Sequence, residues 1–108
     1  MVLTVTVDTK TFQIDVPQFV IDDGEEFFNK MDQDMDNGWQ MSREYVTEPN
    51  VVQRCQIVAD RILTALHNDN KDIMLMMSGY ILTRLPKVTH ITIDNTGNMQ
   101  ETQFAFGE

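Results

Sequence analysis

Asp32, Asp34 and Asp36 alternate with Gln33 and Met35, then Asn37 and Gly38 follow, and Glu44 lies six residues beyond the glycine. Carboxylate oxygens at alternate positions, beside a residue able to make a sharp turn, are the donor set that a hard divalent cation takes. No other group of residues in the chain offers a reaction so directly. Cys55 is the only cysteine, which rules out an intramolecular disulfide and a multi-cysteine zinc site. His67 and His90 have no metal-ligand companion at i+3 or i+4.

The segment from Glu26-Phe27-Phe28 to Ser42-Arg43-Glu44-Tyr45 partly resembles an EF-hand calcium loop. The resemblance implies calcium held by Asp32, Asp34, Asp36 and Glu44 in the stretch 32–44. The chain departs from the pattern in three ways. Asn37 is inserted before Gly38, which moves Glu44 to the thirteenth position; Gln40 stands where an aliphatic is expected; and no second loop follows. The competing reading is a solvated, acidic helix end. Phe27, Met31 and Met35 fall at i, i+4 and i+8 and run straight through the aspartates.

Cys55 sits in the middle of an apolar stripe, so a buried, inert thiol is expected there. His67 at a polar helix end and His90 on an outward strand face are expected to be exposed and ordinary. Trp39, Met41 and Tyr45 form either a recognition patch or a connection packed over the core. The sequence has no GxGxxG, P-loop lysine, HExxH, nucleophile elbow or CxxC. No catalytic, cofactor-binding or metal residue is therefore assigned.

The net charge is −9, and between Asp22 and Asp36 seven acids face one lysine. Such a field opposes direct contact with nucleic acid or anionic membrane, which need clustered Lys and Arg. The 108 residues suit one domain spanning 1–108. With one cysteine and no apolar leader, a cytoplasmic location is expected.

The elements that must carry these residues read as ββ-ααα-ββ, an α+β domain. Leu3, Val5 and Val7 alternate with Thr, and Phe12, Ile14 and Val16 alternate with polar residues. A loop at Thr9-Lys10 would pair Val7 with Phe12, Val5 with Ile14 and Leu3 with Val16. At the other end a Thr96-Gly97 turn would join His90–Asp94 to Met99–Phe106. Ile91, Ile93, Phe104 and Phe106 then face inward with Thr89, while Val88 and His90 face out.

Three helices are expected between the hairpins. The first is capped by Asp22 with Glu25 three residues on, and it stops at Asn37-Gly38. The second has Pro49 in its first turn and a stripe of Val51, Cys55, Val58, Ala59, Ile62 and Leu66, with Ile57 pointing out. The third runs from about Asp72 to Leu85. The two hairpins are expected to form one antiparallel four-stranded sheet under these helices, in two layers.

Ile73-Met74-Leu75-Met76-Met77 makes the third helix apolar on all sides. One sheet covers only one side, so a homodimer through this helix is expected. The leading functional expectation is a small, acidic, non-enzymatic interaction or assembly protein acting as a homo-oligomer. The alternatives are a calcium-binding module at 32–44 and an acidic mimic of nucleic acid that binds a basic protein partner.

Overall fold

The chain alternates between a strand hairpin, a helical middle and a second hairpin, as seen in a computed structural model that describes residues 1–107. The elements are β1 (Val2–Val7), β2 (Lys10–Asp15), α1 (Gln18–Asp23), α2 (Glu25–Asp36), β3 (Trp39–Met41), β4 (Glu44–Val46), α3 (Val51–His67), α4 (Lys71–Arg84), β5 (Val88–Ile93) and β6 (Gln103–Phe106). A short 3-10 turn, Met99–Glu101, precedes β6.

The main sheet has the order β2-β1-β5-β6 and is mixed. β1 and β5 run parallel, with Val5 beside Ile91, which corrects the all-antiparallel expectation. Alternation shows which strands pair locally but not which strand of each hairpin lies inside. A parallel pair needs a long crossover, and here the whole helical middle supplies it. β1 and β5 take the centre because they carry the fully buried Leu3, Val5 and Ile91. Trp39–Met41 and Glu44–Val46 pair as a separate small hairpin that the sequence reading missed.

Both hairpins pair in a shifted register, and the first keeps its expected faces. β1 and β2 pair Val7 with Lys10, Val5 with Phe12 and Leu3 with Ile14. The turn is Asp8-Thr9, one residue earlier than expected, with Asp8 at φ 56°. Aspartate tolerates that left-handed conformation better than most residues. The slip moves each partner by two residues, and a slip of two preserves the face. In the second hairpin Ile91 pairs with Phe104 and Thr92 with Gln103, and an irregularity falls between Val88 and His90. That bulge reverses the face of β5 beyond it, so Val88 is buried and Thr89 exposed; Phe106, opposite Val88 at the end of β6, is 55 % exposed.

Among the described residues the α-helices number four. Asp22 lies in the last turn of α1 and does not cap the next helix, which begins after Gly24 with no side-chain cap. The buried face of α2 is Phe28, Met31 and Met35, whereas Phe27 is 42 % exposed. Pro49 lies just before α3, whose N-cap is Asn50 in a reciprocal capping box with Gln53. Ile57 is buried, contrary to expectation, and lines a small cavity together with Met31, Met35 and Trp39. α3 is thus covered on two sides, by the sheet and by α2 with the small hairpin.

α4 is also covered from more than one side. Met77 to Leu82 are all buried within one chain, among them the full turn Ser78-Gly79-Tyr80. Gly79 allows this, since a Cβ there would lie 3.0 Å from Phe28 Cζ and 3.3 Å from Val20 Cγ1. Ile73, Leu75 and Met76 are partly buried against the same core. α1, α2 and α3 cover part of this helix that the sheet does not, with Met77 to Leu82 buried and residues 73–76 partly buried. No described helix is long and apolar enough to cross a membrane.

Candidate functional site

α2 continues as a helix through all three aspartates to Asp36. Residues two apart on a helix point to nearly opposite sides, so Asp32, Asp34 and Asp36 cannot form one ring of ligands. Asp32 faces α3 and α4, Asp34 lies beside Arg61 and Trp39, and Glu44 is on β4, where it accepts from Gln100. Among the described residues no cluster of His, Cys, Asp and Glu is placed to hold a metal ion. The turn needed for a cation loop comes only at Gly38, after the last aspartate, where φ is 104°.

Asp32 is instead the hub of an ion network. Arg84 donates to its Oδ2 through Nε at 3.0 Å and a terminal nitrogen at 2.9 Å. Arg54 reaches Oδ1 at 3.3 Å and the Asp32 carbonyl at 3.1 Å, and it binds Asp36 at 2.7 Å. The Tyr80 hydroxyl donates to Oδ1, and Arg84 lies 5.1 Å from the Tyr80 ring centroid. Burial raises the Asp32 carboxyl, but hydrogen bonds from Tyr80 and Arg84 outweigh it and hold the group below the usual carboxylate range. Burial pushes the Tyr80 hydroxyl up, and the bond to Asp32 adds to this.

This network joins α2, α3 and α4, and every charge in it has an opposite partner. Glu25, Asp32 and Asp36, three acids of the negative segment, face the chain's own arginines. Such an arrangement orients the three helices against one another. Arg54, Tyr80 and Arg84 were not singled out from sequence. The signal was present in the i, i+4 spacing of Asp32 with Asp36 and of Tyr80 with Arg84.

Cys55 is fully buried, and burial pushes its thiol up to about 12. The His90 ring shares a 2.7 Å hydrogen bond with the Thr6 hydroxyl on the helix-free face of the sheet. His67 is exposed at the end of α3. Met41 is fully buried, Trp39 packs on the core and Tyr45 is 57 % exposed with its hydroxyl on the Asn37 carbonyl. The small hairpin is mainly a cover for the core, tied to the C-terminal loop by the Met99 amide on the Ser42 hydroxyl.

The remaining candidate is the outer edge of β2. Met1 and Val16 exchange two bonds, Val16 N to Met1 O at 2.6 Å and the Met1 ammonium to Val16 O at 2.9 Å. Bonded pairs alternate along an antiparallel ladder. Leu3 with Ile14, Val5 with Phe12 and Val7 with Lys10 are therefore the other bonded pairs. It follows that Thr11, Gln13 and Asp15 direct their amides and carbonyls away from β1. Among the described residues, none of these groups has a backbone partner on that side. Phe12, on the helix side of the same strand, is 36 % exposed.

No family model, no curated protein and no solved structure matches this chain.

Proposed function

We propose that this protein is a non-enzymatic assembly module that works as a homodimer, joined edge to edge through β2. The observation that carries the reading is the outward row of donors and acceptors at Thr11, Gln13 and Asp15, which is self-complementary. In a two-fold, antiparallel pairing centred on Gln13, Thr11 of one protomer faces Asp15 of the other, and Gln13 faces its own copy. All are outward-bonding positions, so the pairing forms about six backbone hydrogen bonds. Phe12 then falls opposite the second copy's Ile14 as a close, non-bonded pair on the helix side. No like charges oppose each other in this register.

The free edge of β6 suits the role less well. That strand has four residues, and its ladder is irregular between Val88 and His90. β2 pairs along its full six residues and leaves its whole outer side open. Exposed strand edges pair readily unless something blocks them, and a single lysine, Lys10, is the only basic residue on this one. The proposal puts the dimer contact on β2 in place of α4, where Met77 to Leu82 are buried within one chain.

Light scattering on a size-exclusion column tests the proposal. The wild-type chain is expected to elute as a dimer at tens of micromolar. Gln13→Lys, which puts two ammonium groups face to face on the two-fold axis, is expected to be monomeric with an unchanged far-UV spectrum. A dimer that survives Gln13→Lys, or a wild-type monomer at those concentrations, overturns it.

A further inference from the structure

A cleft of about 280 Å³ opens where the β1–β2 turn meets the end of α3. Its floor is apolar, formed by Val7, Phe12, Leu63 and Leu66. Lys10 and His67 stand on its rim, and among the described residues neither side chain has a hydrogen-bond or ion-pair partner. Asp8, the one acid there, already accepts from the Asn95 side chain at 2.9 Å. In a chain of 17 acids and 8 Lys and Arg, Lys10 and His67 here stand free beside an apolar surface. It also lies just beyond the carboxyl ends of β1 and β5, the parallel pair, a position where sheets with parallel strands commonly take ligands.

We infer that this cleft binds a small organic monocarboxylate, its apolar body on Phe12, Leu63 and Leu66 and its carboxylate at Lys10 and His67. A cleft of this size suits a small organic molecule. A dianion is disfavoured because Asp8 places a carboxylate on the same rim. A neutral isostere would keep the apolar contacts and lose the charged one. The site shares Phe12 with the proposed dimer, but its charged contacts, Lys10 and His67, lie at the turn and the end of α3 and not among the outward backbone groups of Thr11, Gln13 and Asp15.

Titration of the isotope-labelled full chain with hexanoate, followed by amide chemical shifts, tests this inference. Saturable shifts at millimolar hexanoate are expected at Val7–Phe12, Leu63–His67 and Asn95. Hexanamide is expected to bind at least tenfold more weakly, and Lys10→Gln to lose the hexanoate response while its spectrum stays folded. Gln13→Lys is expected to bind hexanoate as the wild type does, which separates this site from the dimer. Absence of saturable shifts, equal affinity for hexanamide, or full binding by Lys10→Gln overturns the assignment.

Discussion

Tyr80 donates its hydroxyl proton to Oδ1 of Asp32, across 48 residues of sequence and between two helices. The bond is local evidence of a wider arrangement. Asp32 gathers Tyr80, Arg84 and Arg54, so a single carboxylate on α2 orients one group from α3 and two from α4. The two arginine side chains are each 18 % exposed and Asp32 is 27 % exposed, so these interactions are only partly screened by water.

Replacing the hub is expected to cost more than removing any one partner. Asp32→Ala removes the acceptor shared by two arginines and a buried hydroxyl, leaving Arg54 with Asp36 and Arg84 with Glu25, and a loss of about 2 kcal/mol is expected. That is below the usual loss for severing a fully buried pair, because solvent reaches part of Asp32. Tyr80→Phe removes one donor and leaves both arginines paired, with an expected loss of about 1 kcal/mol. Urea unfolding of the two variants checks the order.

The same carboxylate makes stability depend on pH. The folded-state value of Asp32 lies below the usual 3.8, through hydrogen bonds that outweigh its burial. Its contribution is therefore complete above 3.8 and is lost as pH falls through the lower folded value. Asp60 behaves oppositely: burial, with Asp94 nearby, raises its carboxyl, so its ionised form opposes folding at neutral pH and that cost fades on acidification. Urea midpoints from pH 7 to 2 are expected to fall less in Asp32→Ala than in the wild type. At pH 7, Asp60→Asn is expected to melt above the wild type.

Two adjacent residues of α4 are expected to respond in opposite directions to alanine. Ser78 is fully buried and its hydroxyl has no partner among the described residues. Ser78→Ala removes an unsatisfied group and favours the helix, so a gain of about 1 kcal/mol is expected. Gly79→Ala also favours the helix, but its Cβ would press on Phe28 at 3.0 Å. Overpacking at that contact costs about 1–3 kcal/mol, and a net loss is expected. Calorimetric melting of both variants reads the two signs directly.

Local pattern revealed most of the elements and little of how they come together. Alternation placed Leu3, Val5 and Val7 on one face, and it survived a register error because the slip was by two residues. It could not show that β1 and β5 run parallel, since that depends on a crossover spanning the entire middle of the chain. The bulge that buries Val88 and exposes Thr89 also leaves no periodic signature. The aspartates illustrate the limit best. Their spacing admitted a cation loop beside the favoured reading of an acidic helix end, and the helix runs to Asp36 with Arg54 and Arg84 against it. Lys10 and His67 are far apart in sequence, so no motif could have joined them at one cleft.

Amide hydrogen exchange of β2 tests the edge-to-edge dimer most directly. In a monomer the amides of Thr11, Gln13 and Asp15 point to solvent and exchange within seconds, whereas those of Phe12 and Ile14 are held by β1. The dimer predicts that Thr11, Gln13 and Asp15 become protected as protein concentration rises, and lose that protection in Gln13→Lys. Fast exchange at these three positions at every concentration, with Phe12 and Ile14 protected throughout, would contradict it.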